Sequence, residues 1–381
     1  MTKRAIDNVE LTTFDSLKNL KKLFGSTALA TTLVATSFFT GVTGPVNSAE
    51  ITLTDGANFS LNDEINEATD TIIMAANAAT HEIFLDDGDI TVASMAKATA
   101  IAMVLSITDN ASGGVFDIDG NITAATAALT IKTDNNASTI KVGGNVTENI
   151  VAIKFQLDTT ATLEFDGTTK NIDGIIDGIA DAEGTLSLNG ITEIDEAVGG
   201  ANHLLNITIA TGKTGDFNAA VNSVGLTTVG TGAINFDAAV GINTIVNNGT
   251  ITLNSTLDDE AGNGDATLTM TGATSVLNIY GSNDIGHDAI YAAAADGDGT
   301  INIADSADNT AAVNTTAGGD IGATEKQIGT INIGTATKAG NLTTINADAI
   351  FAQNINITGG DHGNEDSFLV LHENIGDAND L

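Results

Sequence analysis

The sequence predicts an all-β protein, and more narrowly a right-handed parallel β-helix of short stacked strands. The first observation is internal repetition, because Gly249-Thr250-Ile251-Thr252-Leu253-Asn254 recurs as Gly184-Thr185-Leu186-Ser187-Leu188-Asn189. A shorter form returns at Gly299-Thr300-Ile301-Asn302-Ile303 and at Gly329-Thr330-Ile331-Asn332-Ile333. Repeats that cannot bury an apolar side alone favour a solenoid, in which each coil packs on its neighbours.

The second observation is the alternation inside each copy. Apolar residues take every other place, which is the period of a strand with one buried and one wet side. We therefore expect Ile251 and Leu253 to point into the core, and Thr250 and Thr252 to point outward. The glycine that opens each copy is expected where the chain turns.

Pairs of apolar residues with this alternation continue through the second half of the chain. Their spacing is irregular, which a β-helix coil of about 20 residues tolerates because insertions are accommodated in its turns. The predicted inward pairs are Leu186 and Leu188, Leu205 and Ile207, Ile234 and Phe236, Ile251 and Leu253, Leu268 and Met270, Leu277 and Ile279, Ile301 and Ile303, Ile331 and Ile333, and Ile355 and Ile357.

A β-sandwich or an antiparallel barrel is the alternative fold. Its strands would be joined by two-residue hairpins, for which Asn248-Gly249 and Asn189-Gly190 are candidates. A sandwich gives no reason for one strand sequence to be repeated. Stacked coils do, because stacking places equivalent residues above one another. Asn189 and Asn254 hold equivalent places in their copies, so we expect them either to stack their amides between coils or to serve as turn residues.

The pattern is weaker between Glu50 and Lys170, where Gly, Asn and Asp separate short apolar stretches. Strands are predicted there at Ile51–Thr54, Ile90–Val92, Ile122–Thr123, Leu129–Lys132 and Thr162–Asp166. The stretch from Met95 to Leu105 is rich in Ala, so a short helix that caps the open end of the solenoid is the alternative for it.

The chain is strongly acidic. Its 381 residues include 49 Asp and Glu against 13 Lys and Arg, for a formal net charge of −36. No Arg follows Arg4, and a surface of this charge repels nucleic-acid phosphate, so nucleic-acid binding is excluded as a function class. Hydrophobic residues make up 42% of the chain, which is enough to fill a core. The chain contains no Cys, so its stability must come from stacking.

Residues 1–48 have the pattern of an export signal. Basic residues precede an apolar run from Phe24 to Val42, which breaks at Gly44-Pro45 before the small residues Ser48 and Ala49. This order is typical of a signal peptide that is cleaved after Ser48 or Ala49. A transmembrane anchor is the alternative, but the many Thr and Ser in the run and the break at Gly44-Pro45 favour cleavage.

The candidates for catalysis are weak. Asp86-Asp87, with Asp89 close behind, and the His of Gly286-His287-Asp288 or Asp361-His362-Gly363 supply the groups that glycoside hydrolysis uses. A site for acidic polysaccharide also needs Arg or Lys, and adjacent carboxylates arise by chance in so acidic a chain. We therefore predict a protein that is not an enzyme, with no catalytic and no cofactor-binding residues. No zinc-binding spacing is found among His81, His203, His287, His362 and His372.

Calcium is a further alternative. Asp117–Asn121 and Asp296–Thr300 resemble the opening of acidic calcium loops, but neither is followed by the later Gly and bidentate Glu of an EF-hand. Asp and Gly together are equally typical of turns. We therefore predict no metal ligands, and a surface-layer subunit that assembles through calcium stays an alternative function, as does a β-helix enzyme that degrades polysaccharide.

The leader, the acidic Cys-free chain and the repeats resemble an autotransporter passenger domain. The composition and repeated pattern of Gly329–Thr337 and Asn341–Asn346 are similar to those of the rickettsial surface cell antigen and outer membrane protein B family. The likeness covers most of residues 50–360. It implies a surface-exposed β-helix used in adhesion or in a protein surface layer, located at the bacterial cell surface after export through the periplasm.

The organisation expected from this resemblance is a signal peptide at 1–48, a less regular solenoid at 49–183, regular repeats at 184–360 and an acidic tail at 361–381. The implied partners are a host-cell surface or neighbouring surface proteins, with self-assembly as an alternative. The sequence lacks the alternating transmembrane strands of a translocator, so association with the outer membrane is expected through a separate translocator.

Overall fold

Contacts divide the chain into two units, Met1–Asn47 and Ser48–Leu381, and every residue described below belongs to the second. The predicted signal peptide at 1–48 and the predicted acidic tail at 361–381 lie outside the described residues. The computed structural model describes residues 50–53, 58–60, 71–74, 80–85, 89–97, 102–108, 113–124, 127–134, 138–148, 152–258, 266–280, 284–285, 289–304, 311–314, 320–333, 343–347 and 349–357.

The described residues are organised as short β-strands, and no helix occurs among them. In chain order the strands are β1 Glu50–Leu53, β2 Asn58–Ser60, β3 Thr71–Met74, β4 Thr80–Phe84, β5 Ile90–Val92, β6 Ser94–Lys97, β7 Met103–Thr108, β8 Val115–Ile118, β9 Ile122–Ala124, β10 Leu129–Asp134, β11 Thr139–Val142, β12 Val146–Glu148, β13 Ile153–Leu157, β14 Thr162–Ile172, β15 Gly174–Gly178, β16 Glu183–Ile194, β17 Leu204–Ile209, β18 Thr214–Phe217, β19 Val221–Thr228, β20 Ala233–Phe236, β21 Val240–Asn247, β22 Thr250–Leu253, β23 Leu257–Asp258, β24 Ala266–Met270, β25 Val276–Tyr280, β26 Asp284–Ile285, β27 Ala289–Ala293, β28 Asp298–Ala304, β29 Ala311–Asn314, β30 Ile328–Ile333, β31 Thr343–Asn346 and β32 Ala352–Ile357.

The strands stack into three faces, which the chain visits in the order A, B, C in successive coils. Face A consists of β1, β3, β6, β9, β12, the ends of β14 and β16, and then β18, β20, β22, β25, β28, β30 and β32. Face B consists of β2, β4, β7, β10, β13, β15, the starts of β19 and β21, and β23. Face C consists of β5, β8, β11, the starts of β14 and β16, and then β17, the ends of β19 and β21, β24 and β27.

Every pairing between these strands is parallel, as in β14 with β16 and β22 with β25. The strands β26, β29 and β31 form a further parallel sheet of their own. The predicted parallel β-helix is thus confirmed. The sandwich or barrel is wrong, because it requires antiparallel hairpins between successive strands.

The alternative of a helical cap over Met95 to Leu105 is also wrong. Met95 lies in β6 and Leu105 in β7, and both strands pair in parallel with the coils next to them. Met95, Met103 and Leu105 are buried, and Val104 between the last two is not. The energy of burial in the stack therefore outweighs the modest helix preference of Ala and Met.

The core is a column of apolar side chains that every coil extends. Ile251 and Leu253 are fully buried while Thr250 and Thr252 are partly exposed, which confirms the orientation predicted for this strand. Aromatic side chains stack within the column, since the rings of Phe217 and Phe236 lie 5.3 Å apart at an interplanar angle of 27°. Burial of such side chains is the main stabilising term of the fold.

The repeated text occurs on two different faces. Gly249–Asn254 lies on face A, where β22 pairs with β20 and β25. Gly184–Asn189 lies on face C, where β16 pairs with β14 and β17. Asn189 and Asn254 therefore belong to different columns and do not stack on each other, although Asn254 does stack its amide on Asn235 of the neighbouring coil.

Two members of the predicted inward pairs are exposed, each for a different reason. Leu205 is 41% exposed, because Leu204 takes the inner place in β17 and both Leu205 and Asn206 face away from the core. Ile357 is 51% exposed and Ile355 is only partly buried, because they lie in β32, the last strand of face A that is described. The other predicted pairs from Leu186 to Ile333 are buried.

Candidate interaction surfaces

The carboxylate and histidine motifs considered for catalysis are largely outside the described residues. This applies to Asp86-Asp87, to His287 and to His362. Asp89 is described, and its Oδ1 accepts a hydrogen bond from the Val115 backbone amide of the next coil at 3.0 Å. Asp89 therefore helps to hold two coils together, which is a structural use of a carboxylate.

Asp117, the first residue of one candidate calcium motif, is part of an ion-pair column on face C. Lys141 Nζ lies 3.2 Å from Asp117 Oδ2 and 2.9 Å from Asp166 Oδ2, so it links three successive coils. The hydrogen bond from Lys141 to Asp166 raises the pKa of Lys141. Burial lowers this pKa, but the further hydrogen bond to Asp117 also raises it, and the pKa is raised on balance. In the same motif Asn121 Oδ1 accepts a hydrogen bond from the Asn145 amide at 2.8 Å.

The second candidate calcium motif, Asp296–Thr300, forms a turn. Asp298 Oδ2 accepts a hydrogen bond from the Ala295 amide at 2.9 Å, and Gly297 and Gly299 have φ angles of 83° and 80°. These are the left-handed values that turns require and that Gly adopts without strain. Within the described residues, no group of three or more His, Cys, Asp or Glu is placed to hold a metal ion.

A second ion pair stabilises face B. Lys154 Nζ lies 2.7 Å from Asp177 Oδ2, and the Asp177 side chain is only 2% exposed. Asp177 Oδ1 accepts a further hydrogen bond from the Ala201 amide at 3.1 Å. The carboxylate is therefore satisfied on both oxygens, as a buried charge must be.

An asparagine ladder runs along the outer side of face A. Asn278, Asn302, Asn332 and Asn356 occupy one column, in which each Asn pairs directly with the next across β25, β28, β30 and β32. Each side-chain amide donates to the side-chain oxygen of the preceding coil, at 2.8, 2.7 and 2.8 Å along the column. Asn302 and Asn332 belong to the repeated Gly-Thr-Ile-Asn-Ile text, so this repetition was the sequence signal that could have located the ladder.

Replacement of Asn332 by Ala is expected to lower the free energy of unfolding by roughly 1–2 kcal/mol, because two net hydrogen bonds are lost. One is donated by Asn332 to Asn302, and the other is accepted by Asn332 from Asn356. Denaturant unfolding together with hydrogen exchange in β28 and β32 measures this effect. Thr330→Ala on the same side of β30 is the control, and equal losses in both variants would show that the ladder does not stabilise the stack.

Nearer the middle of face A, acidic side chains accept hydrogen bonds from the side-chain amides of Asn residues. Three Asn side chains each bridge two oxygens at the boundary between faces A and B. The contacts are Asn218 Nδ2 to Glu193 Oε1 at 3.0 Å and to Asp195 Oδ1 at 2.6 Å, Asn235 Nδ2 to Asp216 Oδ1 at 2.8 Å and to Asp237 Oδ1 at 3.0 Å, and Asn254 Nδ2 to Asn235 Oδ1 at 2.8 Å and to Asp237 Oδ1 at 2.6 Å. Asn254 thus has an inter-coil role after all, with partners other than Asn189.

Three carboxyl groups in the earlier coils have pKa values above their ordinary range. Burial raises the pKa of Asp117 despite the opposing ion pair with Lys141. Burial also raises the pKa of Glu148, which accepts a hydrogen bond from the Ile153 amide and lies near other carboxylates. Burial first, and then the hydrogen bond and charge of Asp195, raise the pKa of Asp173.

We expect the protein to become more stable on mild acidification. A carboxyl whose pKa is raised in the folded state contributes stability below its unfolded pKa of about 4, and loses it as the pH rises through the folded value. Thermal unfolding measured from pH 7 down to pH 4 should therefore show the melting temperature rising as the pH falls. Asp173→Asn should reduce this slope, and a melting temperature that falls steadily below pH 7 would contradict the expectation.

Face C changes character along the stack. Between Ala197 and Leu257 the charged residues are Lys213, Asp216 and Asp237; Asp216 lies on face A, and Asp237 directly follows the face A strand β20. From Thr185 in β16 to Thr269 in β24, the outward side chains of five successive face C strands are uncharged and mostly β-branched, and Glu183 at the start of β16 lies at the edge of this surface. We call this surface the neutral face, and it consists of Thr185, Ser187, Asn189, Asn206, Thr208, Gly225, Thr227, Thr244, Val246, Thr267 and Thr269.

A gap between faces A and C has little space for a small molecule. This gap is wholly apolar and has no room for a water molecule, and it is lined by Ile279, Tyr291, Ile301, Ile303, Ile321 and Ile331. The Tyr291 hydroxyl is buried without a hydrogen-bond partner among the described residues, and burial raises the pKa of this group. Tyr291 is better explained as core packing than as a binding group.

No family model, curated protein or solved structure matches the chain. Among the described residues, no helix is long and apolar enough to cross a membrane.

Proposed function

We propose that this chain is an exported, surface-exposed β-helix with a structural or adhesive role, similar to an autotransporter passenger. The observation that carries the proposal is the continuous parallel stack from β1 to β32, with inward residues committed to packing and outward residues arranged in long columns. In such a stack, the surface available for binding extends along the whole column of outward residues. The export signal predicted at residues 1–48 is the second support.

The charge of the chain suits this role. A net charge of −36 keeps a long protein soluble and separate from other acidic surfaces at high local concentration. Polar contacts repeated over a solenoid surface add up when many of them meet one partner at once. The partners proposed are a host-cell surface or neighbouring surface proteins, and nucleic acid is not among them.

Export is tested by joining residues 1–48 to a reporter enzyme that becomes active only outside the cytoplasm. The natural leader should give an active reporter, because it has the order of a signal peptide. Leu33→Arg places a charge in the apolar run and should abolish that activity, whereas Thr36→Ser should preserve it. An inactive reporter with the natural leader would contradict the proposal.

Adhesion is tested by coating beads with the purified protein and counting those that stay on host cells after washing. Beads coated with an unrelated acidic protein of similar size are the control, since they reproduce the charge and not the fold. We expect retention above this control. Turnover of an acidic polysaccharide by the same preparation, lost on changing Asp86 or Asp87 to Ala, would instead assign the protein to the β-helix enzymes.

A further inference from the structure

We propose that the neutral face is the contact through which two copies of this chain associate, with their face C sheets packed against each other. The proposal rests on the distribution of charge and on the geometry of the strands. It identifies a surface and a partner, and it holds or fails whether or not the chain is exported as proposed above.

Charge leaves few places where two such acidic chains can meet. On face A, the central coils present Glu193, Asp216 and Asp237 on the outside. On face C, the coils before the neutral face present Glu164 and Asp166. Like charges brought together across an interface cost several kcal/mol, so contact between two copies is disfavoured at these positions. The neutral face brings no carboxylate against another.

The shape of the neutral face also favours a second copy as its partner. Backbone hydrogen bonds fix its strands at a spacing of about 4.8 Å, so side-chain ridges follow one another at that interval. A second copy has the same ridges at the same interval, and two such sheets can interdigitate at a separation of about 10 Å. Thr208, Thr227 and Thr269 supply methyl groups to this contact, and Leu205, 41% exposed, lies in β17 beside Asn206.

The size of the surface predicts a weak and reversible association. Five strands at a spacing of about 4.8 Å, each about four to five residues long on this face, cover about 350 Å² per copy by the dimensions of a β-sheet. Stable dimers bury about 800 Å² per partner, so a contact of this size is significant mainly where copies are concentrated. Self-association should increase with ionic strength, since salt screens the repulsion between the remaining acidic surfaces.

Sedimentation velocity of the purified protein over a wide concentration range, in 0.05 and 0.5 M NaCl and with a chelator present, tests the proposal. We expect reversible dimers that increase with protein concentration and with salt. Thr227→Glu should weaken the association by at least about tenfold, because two introduced carboxylates would meet in the contact. Thr252→Glu on face A makes the same chemical change at a similarly half-buried strand position and should leave the association within about twofold.

Three results would overturn the proposal. The first is a monomer at every concentration in high salt, in correctly folded protein. The second is equal weakening by Thr227→Glu and Thr252→Glu, with circular dichroism showing both variants folded. The third is association that disappears in chelator and returns with calcium, because that would assign the contact to bridged carboxylates and not to the neutral face.

Discussion

Gly249→Ala is expected to destabilise the protein by about 3 kcal/mol, although it adds a single methyl group. A β-carbon at Gly249 would lie 1.9 Å from the carbonyl oxygen of Gly232 in the coil below. That oxygen accepts the backbone hydrogen bond of Thr250 at 2.9 Å, and the Gly249 carbonyl in turn accepts from Val276 at 2.7 Å. The clash can therefore be relieved only by separating coils that the backbone holds together.

Gly200→Ala is the matched control for this prediction. A β-carbon at Gly200 would meet only the Ala197 side chain, at an ordinary distance of 3.4 Å, so we expect a change within about 0.5 kcal/mol. Chemical denaturation of both variants beside the unmodified protein measures the difference. If Gly249→Ala and Gly200→Ala unfold at the same denaturant concentration, close stacking at Gly249 is not required.

The glycines that open the repeats illustrate what the sequence could and could not predict. A glycine was expected at each opening because the chain turns there, and this reason applies to Gly184 and Gly299, whose φ angles are 73° and 80°. At Gly249 and Gly329 the φ angle is ordinary and the requirement is close approach to the neighbouring coil. Contacts between coils cannot be read from one strand, because the residue below belongs to another part of the chain.

The class of fold was predictable because alternation identifies which side of a strand is buried. Which of faces A, B and C each strand belongs to was not predictable. Alternation is the same on all three faces, and turns of varying length decide where a strand lies. For this reason Gly184–Asn189 and Gly249–Asn254 were interpreted as one stacked column although they lie on faces C and A. The asparagine ladder was missed for the same reason, since Asn302 and Asn332 are separated by 30 residues and other coils by 24.

The neutral face could have been found in the sequence only in part. The scarcity of charge between Ala197 and Leu257 is visible in the printed chain. The position of the neutral surface on face C is not visible there, because only the pairing of β18 places Asp216 on face A, and Asp237 directly follows β20. Composition thus indicates that a neutral segment exists, and topology decides which surface it occupies.

Phe236→Ala is expected to lower the free energy of unfolding by about 3–5 kcal/mol, the range for removal of a buried aromatic side chain. Phe236 is fully buried in face A, pairs with Phe217 below and Leu253 above, and stacks on the Phe217 ring. Removing it leaves a cavity between coils and also loses the ring contact, which adds about 0.5–1.5 kcal/mol of the total. Ile191→Ala, at a residue that is 47% exposed, should change stability by less than about 0.5 kcal/mol.

The measurement for Phe236→Ala should be local as well as global, because each coil of a solenoid contacts only its neighbours. Hydrogen exchange is expected to increase most in β18, β20 and β22, and the increase should decline towards β6 and β30. A uniform increase along the stack would mean that the solenoid unfolds as a single cooperative unit. In that case Phe236 would contribute to the stability of every coil equally, and the nearest-neighbour account of the fold would be wrong.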